Sequence, residues 1–172
     1  MGFCCDSPCM GTSEHPAREL LPEVKVPTEE NIARLIADTN PDSPLTRVNA
    51  IRALQGPQGA IVKVAGSSGQ GADVIFQAGS RLLCREVKSI VGGAQGSFNR
   101  EVAHAATQIA YRGEILVQMP QGTDALRFIS RFRGSRPDPT QLEKYCAVRI
   151  TIVDPLGTVL FEGSLASEEE TA

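Results

Sequence analysis

From residue 28 onward the apolar positions switch between helical and strand spacings. Ile32, Leu35 and Ile36 recur at helical spacing behind Thr28 and an acidic first turn, Glu29-Glu30. That helix ends near Asn40-Pro41, since the residue before a proline avoids the helical region. A second short helix, over about 45–54, carries Leu45, Val48, Ile51 and Leu54 and closes at Gly56-Pro57. After Gly59 the pattern becomes strand-like, in Ala60–Ala65, Ala72–Gln77 and Arg81–Val91. Ser97 is placed to cap a helix over about 98–112, with Phe98, Val102, Ala105, Ala106 and Ile109 as its buried stripe and Gly113 as its stop. Glu114–Met119 is apolar at nearly every position, as an interior strand is. Residues 123–133 read as a further helix, and Tyr145–Val153 and Thr158–Glu162 as a hairpin about Asp154-Pro155-Leu156-Gly157. The order α-α-β-β-β-α-β-α-β-β predicts an α/β sandwich with a mixed central sheet and helices on both faces. Residues 1–26 hold Pro and Gly without periodicity and read as a flexible lead-in. Residues 27–163 form a single domain, and 164–172 an acidic tail.

Composition narrows the function classes. At 172 residues and 41% hydrophobic, the chain can build a real core. With no Trp and 5% aromatic residues, it lacks the means for an aromatic stacking platform for single strands. A net charge of −3 argues against broad attraction to nucleic acid, while leaving room for a local basic groove. No apolar run approaches the roughly 20 residues that span a bilayer, and the N-terminus lacks a signal peptide's charged and apolar regions. Met1-Gly2-Phe3-Cys4-Cys5 resembles a lipidation signal, but Asp6 stands where Ser or Thr is wanted. The expectation is therefore a cytoplasmic protein with no membrane partner. Five cysteines in no framework spacing argue against a disulfide scaffold. Cys84 and Cys146 read as small core residues of a protein in a reducing compartment, and Cys4, Cys5, Cys9 and His15 match no standard zinc spacing.

The chemically informative stretch is GADVIFQAGSRLLCREVKS, residues 71–89. Gly79-Ser80 suits a two-residue type II′ hairpin turn. That turn sets Ala78 against Arg81 and Gln77 against Leu82, and, continued outward, Asp73 against Glu86. Directly opposed residues on one face have Cβ atoms roughly 4.5–5.5 Å apart. Lys88 lies two residues beyond Glu86 and shares its face. Two carboxylates facing each other among Val74, Ile75, Phe76 and Val87 repel unless a cation sits between them. Mg²⁺ (or Mn²⁺) answers this, since it takes hard oxygen ligands from one or two carboxylates plus substrate phosphate. Lys88 would orient or deprotonate the attacking water and neutralise charge building on the phosphate. Asp73, Glu86 and Lys88 thus form a minimal kit for phosphodiester hydrolysis. The plainer alternative is a structural ion pair at a sheet end.

This layout resembles the PD-(D/E)xK nuclease superfamily, the restriction-endonuclease-like fold. Its core runs helix, three strands, helix, strand, with the Asp on the second strand and E-x-K on the third. Asp73 matches the Asp and Glu86-Val87-Lys88 the E-x-K, although Gly71-Ala72 precedes Asp73 where the motif's name has Pro. The resemblance covers about residues 28–120. It implies a Mg²⁺-dependent endonuclease on an α/β/α sandwich, a site Gln on the following helix (Gln108), and an acidic ligand on the first helix (Glu30). The wider run of GADVIF, REVKSI, TQIAYRG, ILVQMP and IVDPLGTVLFEG looks like the C-terminal tRNA nuclease domains of bacterial contact-dependent-inhibition toxins. That narrower likeness implies a cognate immunity protein and delivery into a target cell's cytoplasm.

Other features qualify the picture. Glu101, His104, Gln108 and Arg112 share a stripe on the predicted 98–112 helix, where Gln108 could hold a phosphate or the lysine. Arg127, Arg131, Arg133 and Arg136 concentrate positive charge in RFISRFRGSR, either as a phosphate-contacting patch (Arg127, Arg131 and Arg133 above all) or as a solvated helix face. Gly66–Gly71 is not a phosphate loop, because it leads into a strand rather than a helix. Two non-nuclease readings remain beside the leading one: a catalytically silent module binding nucleic acid or protein, and a nucleotide-binding domain.

Overall fold

A computed structural model describes residues 27–56, 60–64, 71–136 and 138–168. The lead-in at 1–26, its cysteines and His15, most of the Gly66–Gly71 loop and the end of the acidic tail lie outside the described residues. The chain opens with α1 (Glu29–Ala37) and α2 (Arg47–Ala53), followed by strands β1 (Ala60–Val64), β2 (Val74–Ala78) and β3 (Arg81–Ser89). Then come α3 (Gln95–Gln108), β4 (Arg112–Gln118), α4 (Ala125–Gly134), α5 (Pro139–Glu143), β5 (Ala147–Val153) and β6 (Val159–Ser164). The strands form one six-stranded sheet in the order β1-β2-β3-β4-β5-β6. It is mixed: β3, β4 and β5 run parallel, and the flanking pairs are antiparallel.

Strand alternation divides the core into two layers. On one face Cys84, Ile115, Val117, Ile150 and Ile152 pack against Phe98, Val102 and Ala105 of α3 and Ile129 and Phe132 of α4. On the other, Val74, Phe76, Val87 and Leu116 meet Ile32 and Leu35 of α1 and Ala50 and Ala53 of α2. The expected mixed sheet with helices on both faces is therefore present.

Several local expectations are corrected. Helix α3 begins at Gln95, not near 98, and Ser97 lies inside its first turn. The Gln95 amide supplies the reason, since Nε2 donates to Asn99 Oδ1 and to the Phe128 carbonyl, tying the first turn to α4. The same helix ends at Gln108, with Ala110 and Tyr111 in left-handed conformations (φ 56° and 60°). Gly113 is accordingly a β4 residue rather than the helix stop. A Cβ on it would collide with the Cys84 carbonyl, so glycine there permits the close β3–β4 approach. Val48 is exposed, and α2 instead buries Asn49, Ala50 and Ala53, small residues that let it sit close to the sheet. Helix α5 was not anticipated; Asp138 caps it by accepting from the Thr140 amide. The core also continues past residue 163, because Leu165 and Ala166 are buried and Arg133 donates to the carbonyls of Ser164, Leu165 and Ser167. Cys84 is a core residue as expected, though disulfide-bonded, whereas Cys146 is exposed rather than in the core. Among the described residues, no helix is long and apolar enough to cross a membrane.

Candidate active site

The β2–β3 hairpin forms in the expected register, with Ala78 opposite Arg81, Gln77 opposite Leu82 and Val74 opposite Arg85. Gly79 has φ 63° while Ser80 stays out of the positive-φ region, the pattern of a type II′ turn. One step beyond the ladder, Asp73 and Glu86 clasp each other through the backbone. The Asp73 amide donates to Glu86 Oε1 (3.2 Å), and the Val87 amide donates to Asp73 Oδ2 (2.9 Å). The Lys88 ammonium lies 3.7 Å from Glu86 Oε2 and 3.8 Å from Glu101 Oε1 of α3. Strand alternation puts all three on the α3 face of the sheet, with Glu86 and Lys88 between the core residues Cys84 and Ile90.

These groups form the floor of a cavity of about 500 Å³ whose walls come from the end of α1, from β1 and from α3. Helix α3 contributes Ser97, Arg100, Glu101, His104 and Gln108, one stripe at helical spacing. Gln108 Nε2 and His104 Nε2 are 3.1 Å apart, so an amide N–H directed at the ring makes that ring nitrogen the acceptor.

Burial dominates the electrostatics. It pushes the Asp73 carboxyl up to about 6, opposed by the Val87 amide and raised further by the neighbouring Asp38 carboxylate. Glu86, only 5% exposed, is pushed up to about 8 by burial and then by the Asp73 charge, with Lys88 pulling the other way. One buried and one half-buried carboxylate, mutually repelling and of hard oxygen character, fit a divalent cation held by two protein ligands. Among the described residues, no group of three or more His, Cys, Asp or Glu side chains is assembled as a metal-binding cluster.

The structure thus brings together Asp73, Glu86, Lys88 and Gln108, along with His104 and Glu101 of the predicted stripe. Other expected residues lie elsewhere. Glu30 is exposed and paired with Arg34 (3.2 Å), because it occupies the first turn of α1 while the last turn reaches the cavity. The acidic residue that α1 does deliver is Asp38, its C-cap. Arg112 belongs to β4, since α3 ends before it. Arg127 and Arg131 are exposed on α4, outside the cavity lining, and Arg133 holds the carbonyls after β6. Arg136 lies over the rings of Phe132 and Tyr145. The basic groups that do line the cavity are Lys63, Lys88 and Arg100. Lys63 and Asp38 carried no motif; only the packing direction of α1 and β1 reveals them.

No protein-family model, curated protein or solved structure matches the chain.

Proposed function

We propose that this protein is a metal-dependent nuclease that hydrolyses phosphodiester bonds. One observation carries the reading: half-buried Asp73 and buried Glu86 oppose each other and meet Lys88 on the floor of a polar-lined cavity. Asp73 and Glu86 would hold Mg²⁺ or Mn²⁺, and that ion, when bound, polarises a phosphate oxygen and lowers the pKa of a coordinated water. The chain's own groups do the rest. Lys88, tethered between Glu86 and Glu101, holds its ammonium beside the carboxylates, where it can orient the attacking water and offset negative charge gathering on the phosphate. Gln108 and His104, bonded to each other, add polar groups to the α3 wall. Glu86 is buried, and its removal from solvent strengthens the electrostatic interactions it makes.

The finer fold reading, a restriction-endonuclease-like sandwich, belongs to the same proposal. It is supported by the element order, by Asp73 just before β2 with E-x-K on β3, and by β4 lying parallel to β3. A tRNA nuclease toxin with a cognate immunity protein, acting in the cytoplasm, is its narrowest form and rests on the sequence resemblance.

Purified protein incubated with plasmid, single-stranded DNA and total tRNA, in Mg²⁺, Mn²⁺ or EDTA, tests the proposal. Cleavage should require metal and should be lost in Glu86→Ala and Lys88→Ala. Equal cleavage by wild type and both variants, or cleavage indifferent to EDTA, overturns it. Binding of these polymers without hydrolysis would favour the silent-module alternative.

A further inference from the structure

Lys63 reaches the cavity because β1 is irregular. Ala60 and Ile61 pair with Gln77 and Phe76, then the register shifts, and Lys63 pairs with Ile75 and Val64 with Val74. Residues two apart on a regular strand share a face. Here the extra residue, Val62, breaks that rule, as a bulge does. Ile61 packs against the α1/α2 core, whereas Lys63 stands on the Ile75 face, the one that carries Asp73, Glu86 and Lys88. A regular β1 with Ile61 in its core would turn Lys63 away from the cavity that it lines.

Its position along the sheet is equally specific. Lys63 opposes Ile75, and Asp73 lies two residues further along the same face, so their backbones are about 8 Å apart by ordinary strand spacings. A lysine stem spans that distance with its ammonium near the carboxylates or just outside them. Among the described residues, strand β1 is also an edge of the sheet, with no further strand paired outside it.

We propose that Lys63 is a substrate-phosphate ligand of this cavity, binding a phosphate next to the one that is cleaved. The inference rests on the nuclease reading above and gives its substrate a direction, out over the β1 edge. A lysine that contacts one phosphate contributes affinity and salt dependence rather than chemistry.

The test compares wild type, Lys63→Met and Lys63→Arg in Mg²⁺ across a salt series, with a fluorescein-labelled single-stranded oligodeoxynucleotide and total tRNA as probes. Thermal midpoint and Mn²⁺ affinity are followed in parallel. The expected result for Lys63→Met is a KM raised roughly 5- to 20-fold, a kcat within about 2-fold of wild type and a salt slope shallower by about one. Lys63→Arg restores most of the KM, while midpoint and metal affinity hold. An unchanged KM and slope in a cleaving wild type overturns this inference alone. So does a loss that appears instead as weaker Mn²⁺ binding or a lower midpoint, since Lys63 would then serve the carboxylates or the fold. A wild type that cleaves neither probe overturns the nuclease reading, and this inference with it.

Discussion

Glu86 holds the sharpest electrostatic conflict in the site. Burial and the facing Asp73 raise its carboxyl to about 8, and burial raises Asp73 to about 6. Both values lie above the ordinary unfolded ones of about 4, so between those limits the folded protein binds more protons than the unfolded chain. Stability of the metal-free protein must therefore fall as pH rises through roughly 4 to 8. In EDTA the melting midpoint should be lower at about pH 8.5 than at about pH 5, and Mg²⁺ should recover part of the difference at the higher pH only. Glu86→Gln removes the charge and keeps the shape. It should flatten the profile and raise stability at high pH by about 1–3 kcal/mol, at some 2–4 °C per kcal/mol in a domain of this size. A midpoint that rises with pH in EDTA, or a Gln variant as pH-sensitive as wild type, contradicts the assignment.

At the scale of elements, the E-x-K strand is braced from behind. Gln118 of β4 is buried; its carbonyl oxygen accepts from the Thr46 amide and from Asn49 Nδ2, and its amide donates to the Pro44 carbonyl. Asn49 also donates to the Asp154 carbonyl, so one polar cluster ties α2, β4 and the β5–β6 turn together behind Ser89. Gln118→Leu leaves the Thr46 and Asn49 donors unmet and should cost about 2–4 kcal/mol, read from urea denaturation. A loss below about 0.5 kcal/mol would show that the cluster relaxes freely. A second local tension lies after α3, where Ala110 adopts φ 56°. Ala110→Gly should stabilise by about 0.5–1 kcal/mol, because only glycine takes that conformation without a Cβ penalty.

These elements also show what the chain makes legible. Gly79-Ser80 specifies its hairpin locally, so the pairing of Asp73 with Glu86 follows from counting outward, and it does. The bulge at Val62 has no such marker: nothing in AIVKV announces it, and Lys63 drops out of sight with it. Helix α1 illustrates the same limit. Its acidic first turn is plain, but which end reaches the site depends on how Ile32 and Leu35 seat against the sheet, and that selects Asp38 over Glu30. The α3 start is not legible locally, because Ser97 is a good local cap while the actual first turn is secured by a tertiary bond from Gln95 to α4.

For the whole molecule, one face of the sheet carries both an apolar core and the polar cavity, whose floor stands on strands and whose walls come from α1, β1 and α3. The cavity's charged lining consists of Asp38, Asp73, Glu86 and Glu101 against Lys63, Lys88 and Arg100. Fully ionised, that set is slightly negative, and a divalent ion inverts its sign. In Lys88→Ala, which is expected not to cleave, the same ion neutralises the more negative lining, so a polyanion should bind that variant at about pH 8.5 at least 10-fold more tightly with Mg²⁺ than with EDTA, measured by fluorescence anisotropy. The exposed α4 arginines lie outside this lining, so Arg131→Glu should weaken binding less than Arg100→Glu does.

Single-turnover cleavage by wild type, Asp73→Asn and Glu86→Gln in Mg²⁺ addresses the central claim most directly. Both variants keep the shape of the site and relieve its charge repulsion, so they should remain folded and lose at least about 10²- to 10³-fold in rate. Variants that stay folded and still cleave at the wild-type rate would contradict it.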